Sequence, residues 1–163
     1  MKRLSQIGAL LFCTMTKDQI INVCYTILNQ KIEQVHLAIK DANQSLQDDT
    51  KSSAGDKYET SREMIQQDLN RYEQQLKVLN LDLDTLVRIK NLKLDVKKVG
   101  LGSLVQTDKA LYFLAISIGQ VCVDAQKIYS ISTASPIGKI LIGKALGESF
   151  EFNGITQKIL SIY

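Results

Sequence analysis

The sequence predicts an α+β chain: an N-terminal antiparallel α-helical hairpin of coiled-coil type, followed by a small antiparallel sheet domain with one short helix. Three observations predict it. Apolar residues recur at steps of three and four over two long stretches, and the period then drops to two. The only proline among 163 residues, Pro136, stands after that change. Proline inside a helix costs about 3 kcal/mol, so its absence upstream leaves long helices unbroken. A composition 45% apolar and 23% charged is that of an ordinary folded protein, of one domain or two small ones.

Residues 1–15 are expected to be a disordered or spurious extension. Lys2-Arg3 followed by Ile7 to Cys13 imitates a miniature signal peptide, but the apolar run is short and no small-residue cleavage site follows. Met15 reads as the natural start. Thr16 and Gln19 have capping-box spacing, so a helix opens there.

The first helical stripe is Ile21, Cys24, Leu28, Ile32, Val35, Ile39, Ala42 and Leu46. The second is Ile65, Leu69, Tyr72, Leu76, Leu79, Leu83 and Leu86, with the strict alternation of a coiled-coil seam. Between them residues 47–56 are polar and carry no stripe. Two narrow stripes with a short polar joint are satisfied by folding back on each other. The hairpin is therefore assigned to residues 16–94, with its tip near 48–56. At about 1.5 Å per residue each arm would be roughly 45 Å long. Intermolecular pairing of two long helices is the alternative; the Ser52-Ser53-Ala54-Gly55-Asp56 interruption favours the hairpin and a monomer.

Residues 95–163 form the second domain. Leu104-Val105, Ala110 to Ile118, Gln120 to Val123, Ile128 to Ser132, Ser149 to Phe152 and Ile155 to Ile162 are the strand candidates. Asn153-Gly154 is a two-residue hairpin turn. Ser135 as N-cap, Pro136 at the first helical position and Gly143 as the stop define a short helix, Pro136 to Gly143. Tyr112, Phe113, Tyr129, Phe150 and Phe152 are expected to build the core. Ile137, Ile140 and Leu141 should pack that helix on the sheet.

Charge and reactive residues exclude several functions. Residues 1–95 carry 13 basic and 13 acidic side chains; residues 96–163 carry 7 basic and 4 acidic, so the net +3 lies wholly in the C-terminal part from Val96 onward. That is too little for a nucleic-acid footprint. The single histidine, His36, lies off the seam on a helical arm and rules out a two-His metal or catalytic site. Cys13, Cys24 and Cys122 have no CxxC spacing; Cys24 and Cys122 read as buried apolar residues in a reducing, cytoplasmic setting. With no Gly-rich phosphate loop and no dyad, an enzyme is not expected.

The run Ile131-Ser132-Thr133-Ala134-Ser135-Pro136-Ile137-Gly138-Lys139-Ile140-Leu141-Ile142-Gly143-Lys144, behind a helical hairpin, resembles the C-terminal domain of the Gre family of bacterial transcript-cleavage and elongation factors. The resemblance covers about residues 16–163. It implies an FKBP-like domain that docks on RNA polymerase near the secondary channel, with Ser135, Pro136, Lys139 and Lys144 at the docking face. It also implies a coiled coil that threads the channel and meets nucleic acid only indirectly, within the elongation complex. No membrane contact and no intrinsic cofactor are implied; any magnesium would be the polymerase's own, shared with the tip.

In that family the tip reads acidic-x-x-Glu-Asn-x-x-Tyr, and its carboxylates hold magnesium, which takes hard oxygen ligands. Tyr58, followed by Arg62-Glu63, aligns with the family's tyrosine. Counting back, the acidic positions fall on Lys51 and Ala54, and the asparagine on Gly55. Asp48, Asp49, Asp56 and Glu59 are the acids nearby. They fit two readings: a displaced metal-facing set, or a helix end at Asp48-Asp49 and a cap at Asp56 completed by Glu59. The expected function is a polymerase-binding elongation regulator whose cleavage stimulation is altered or lost. The alternative is a coiled-coil scaffold whose binding domain does not act on polymerase.

Overall fold

Helix formation starts where the capping box places it. In the computed structural model, which describes residues 16–49, 56–93 and 96–163, the Thr16 amide donates to Gln19 Oε1 at 2.7 Å and the Gln19 amide to Thr16 Oγ1 at 3.3 Å. These reciprocal bonds satisfy two orphan donors of the first turn. Helix α1 runs Lys17–Asp49 and helix α2 runs Asp56–Asn91. The expected extension, residues 1–15, lies outside the described residues.

The chain divides into two compact units, residues 26–84 and residues 1–25 with 85–163. In the first, the two seams bury Leu28, Val35, Leu69 and Leu79 and half-bury Ile32, Ile39, Leu46, Ile65, Tyr72, Leu76 and Leu83. Polar residues occupy the remaining positions: Arg71 pairs with Asp68 at 2.9 Å and lies over the Tyr72 ring. His36 is exposed on the outer face.

In the second unit the first turns of α1 and the last turns of α2 bury Ile20, Ile21, Cys24, Leu86 and Ile89. Lys17 Nζ donates to the Ile89 carbonyl at 2.8 Å, satisfying one of the orphan acceptors at the end of α2.

Six strands follow: β1 (Leu104–Thr107), β2 (Leu111–Ala115), β3 (Gly119–Val123), β4 (Gln126–Ser132), β5 (Ser149–Phe152) and β6 (Ile155–Ile162), with helix α3 (Pro136–Leu141) between β4 and β5. They form one sheet in the order β3-β4-β2-β1-β6-β5. The expected all-antiparallel sheet is corrected here to a mixed one, because β2 and β4 pair in parallel, Tyr112 opposite Tyr129. After β2 the chain reverses over three residues but leaves one strand width open. β3 becomes the edge, and β4 returns antiparallel to it into the gap. Ser130 closes that insertion, its buried hydroxyl donating to the Ile116 carbonyl at 2.7 Å.

Two-residue turns set the hairpins. Asn153 and Gly154 have φ of 53° and 76°, the left-handed pair that a tight hairpin turn needs. Asp124 and Ala125 (φ 48° and 63°) make the same turn between β3 and β4.

Parallel register puts Tyr112, Tyr129, Leu114 and Ile131 on one face, and Phe113 and Ser130 on the other. The first face carries a core of Val99, Val105, Tyr112, Leu114, Ile137, Leu141, Phe150, Ile159 and Ile162, with Ile140 and Phe152 packed against it. α3 is thus bound to the sheet by the three aliphatic residues its sequence indicates. On the other face Ser130 meets the Cys24 thiol, whose pKa burial pushes up.

Two expected core positions differ. Cys122 is exposed: β3 is an edge strand whose Val121 and Val123 point inward, so alternation turns Cys122 out. Tyr129 is 39% exposed, its ring leaning on Tyr112 with centroids 5.9 Å apart.

Candidate functional site

Two places carry the candidate residues, the far end of the hairpin and the α3 segment. At the hairpin end, Asp48 and Asp49 are the last residues of α1, and Asp56 is the first residue of α2. Tyr58 lies in the first turn of α2, and Glu59, also in that turn, is exposed. The side chains of Asp48, Asp49, Asp56 and Tyr58, and the whole of residues 50–55 with Lys51, Ala54 and Gly55, lie outside the described residues. An open groove of about 450 Å³ is lined by Asn43, Leu46 and Gln47 of α1 and Arg62, Glu63 and Gln66 of α2. Arg62 and Glu63, the pair that follows the aligned Tyr58, form its α2 side. Among the described residues no three His, Cys, Asp or Glu side chains gather around a point that could hold a metal ion.

The α3 segment is built from local hydrogen bonds. Ser135 has extended backbone (φ −65°, ψ 156°), and its Oγ accepts from the Gly138 amide at 3.1 Å. The same hydroxyl donates to the Ser132 carbonyl at 2.7 Å, so the cap also ties α3 to the end of β4. Pro136 takes the first helical position, where a missing N–H costs nothing. Gly138 is a requirement of packing: a Cβ there would run into the Ser132 carbonyl oxygen and crowd Ser135 Oγ. α3 ends at Leu141, and Gly143, at φ 79°, turns the chain away.

The sequence-predicted docking residues are therefore of two kinds. Ser135 is engaged on both sides and positions the helix. Pro136 and Lys139 are exposed. Lys144 lies beyond the helix, half-buried, its ammonium 3.6 Å from Glu148.

Sequence reasoning missed Gly138, Glu148, the Lys17 bond to Ile89, and a buried polar cluster at the β1–β2 turn. In that cluster Thr107 Oγ1 accepts from the Ala110 amide at 2.9 Å and donates to Gln157 Oε1 at 2.9 Å, while Gln157 Nε2 donates to the Tyr112 hydroxyl at 3.1 Å. The spacing Ser135-x-x-Gly138 could have pointed to the first of these, since the glycine sits where the cap must be reached.

No family model matches this chain, and no curated protein does. Two solved structures are similar to it. One is GreA factor homolog 1 of Thermus thermophilus, with 20% identity over 85% of this chain and 94% of that one, at a TM-score of 0.33. The other is its Thermus aquaticus counterpart, with 21% identity over 85% of this chain and 93% of that one, at the same TM-score.

Proposed function

We propose that this chain is a Gre-like regulator of transcription elongation that binds RNA polymerase and acts through its secondary channel, with cleavage stimulation altered or lost. The observation that carries this reading is the Ser135–Lys144 segment. It is the part of the sequence that most specifically resembles the family, and each of its marked residues helps to build α3. Ser135 caps the helix, Pro136 starts it, Gly138 admits β4 and Gly143 stops it. The chain does no chemistry of its own; it lends a hairpin to another enzyme.

The tip supplies the second half of the proposal. The aligned positions, Lys51 and Ala54, offer no carboxylate to a magnesium ion. Among the acids around them, the Glu59 side chain is exposed. The protein acts by occupying the channel. Within the described residues no helix is long and apolar enough to cross a membrane.

Co-purification with bacterial RNA polymerase core tests the reading. Wild-type chain should be retained by the core, and Lys139→Glu combined with Lys144→Glu should reduce that retention. Absence of polymerase from the wild-type pull-down would sink the proposal and favour a coiled-coil scaffold with another partner.

A further inference from the structure

A sheet edge is a row of backbone donors and acceptors without partners, and folded proteins guard it with a charge, a proline or a bulge. The two edges of this sheet, β3 and β5, are guarded differently. The two-residue turn at Asp124-Ala125 makes Val123 and Gln126 a hydrogen-bonded pair. Alternation then makes Cys122–Lys127 and Gln120–Tyr129 non-hydrogen-bonded pairs, so the N–H and C=O groups of Gln120 and Cys122 point away from β4. Among the described residues no strand lies beyond them. The same alternation from the Asn153-Gly154 turn points the backbone groups of Ser149 and Glu151 away from β6.

β5 carries an exposed carboxylate in this outward row, Glu151. β3, Gly119-Gln120-Val121-Cys122-Val123, has no charged residue and no proline, and it pairs with β4 without a register shift. Gly119, Gln120 and Cys122 are exposed, while Val121 and Val123 are buried on the opposite face. Of the two edges, β3 is therefore the one left open.

We propose that β3 is a self-pairing edge: a second copy of this chain adds its own β3 antiparallel to it, about a two-fold axis at Val121. Residues that point outward exchange the hydrogen bonds, so Gln120 and Cys122 oppose each other or themselves. The pairing of Gln120 with the second copy's Cys122 is the one that overlaps the whole strand. It sets valine beside valine on the buried face and Gln120 beside Cys122 on the exposed face. A foreign strand would need side chains matched to both faces; a second copy brings them. Charge permits the pairing. Asp124 at the turn and Lys127 opposite Cys122 lie at one end of β3, and the two-fold axis sends the two copies' charges to opposite ends. The same operation on β5 would make two Glu151 carboxylates diagonal neighbours. This inference is independent of the polymerase reading.

The contact is small, so the dimer should be reversible, with a Kd of about 10–100 µM. Sedimentation of the full chain from about 5 to 500 µM, in reducing buffer, tests it, and the wild-type mass should double across the series. Gln120→Pro removes an outward N–H that β4 does not use, and Cys122→Lys puts a charge on the edge. Each variant should stay monomeric throughout, with the circular dichroism of the wild type. In a Cys13→Ser chain the two Cys122 backbones would be diagonal neighbours about 7–8 Å apart, so a short bis-maleimide should join them, and Gln120→Pro should abolish the product. A wild type that is monomeric at every concentration overturns the proposal, even if a foreign strand takes the edge. A dimer that survives in both variants overturns it by placing the contact on another face.

Discussion

Residues 26–84 and the unit built on residues 85–163 are stabilised in different ways. The hairpin arms bury a single stripe each. Their seam residues reach full burial at Leu28, Val35, Leu69 and Leu79 and are otherwise half-exposed, so substitutions meet solvent that can refill the site. The sheet unit buries β2 completely and places Phe113, Leu114 and Leu141 out of reach of water. Its turns and caps are also interlocked, as at Ser132, Ser135 and Gly138. The seam therefore tolerates substitution better than the sheet unit does at the Ser132–Gly138 junction, where a Cβ on Gly138 would meet the Ser132 carbonyl.

Substitutions in matched pairs test that contrast. Leu141→Ala should cost about 3–5 kcal/mol, since it opens a cavity sealed by helix and sheet. Leu69→Ala on the seam should cost about 2 kcal/mol, with the loss confined to residues 26–84. Denaturant melts followed by segment-resolved hydrogen exchange read both numbers; equal costs, or losses spread through both units, would break the comparison.

Gly138→Ala should cost about 1–3 kcal/mol through overpacking against the Ser132 carbonyl, and Ser135→Ala about 1 kcal/mol through loss of the cap. If Gly138→Ala melts like the wild type, the close approach of α3 to β4 is not needed. Ala125→Gly should act in the other direction and gain about 0.5–1 kcal/mol, because a residue with a Cβ is held there at φ 63°.

The smallest effects separate the units by sign. The Lys158 amide, donating at 2.9 Å, holds the Asp108 carboxyl below its ordinary range. Its contribution is complete above the unfolded pKa of about 3.9 and is lost as pH falls through the folded value below that. Asp108→Asn should therefore flatten the acid limb of the melting-temperature profile. In the hairpin, partial burial pushes the Asp82 carboxyl up, only partly offset by Lys31. What the neutral form contributes is present below the ordinary carboxylate pKa and lost as pH rises through the folded value. Asp82→Asn should raise the melting temperature slightly at neutral pH, and a fall would show that the Lys31 attraction outweighs burial.

Much of this fold can be read from residue spacing. The Ile21–Leu46 and Ile65–Leu86 stripes become the buried seams, because a helix repeats its face every three or four residues. The six strand candidates all become strands, and Ser135, Pro136 and Gly143 bound α3 as their chemistry requires. Strand pairing is less legible: period two is the same in parallel and antiparallel ladders, so nothing in β4 announces that it inserts beside β2. Nor does alternation show that β3 is an edge, which is why Cys122 faces outward. At the candidate site, the cap at Ser135 is legible because it is local in sequence. The Lys144–Glu148 pair and the Lys17 bond to Ile89 depend on where loops and helix ends meet in space.

If the proposed function holds, the chain occupies the polymerase channel with Lys51 and Ala54 at the positions where the Gre family has carboxylates. Transcript cleavage in stalled elongation complexes, measured at a concentration where the chain is bound, tests this most directly. Cleavage should then run no faster than the polymerase's own rate, with the chain in the complex. Faster cleavage that is abolished by Asp48→Asn and Asp49→Asn would contradict it, by showing that those acids reach the active site after all.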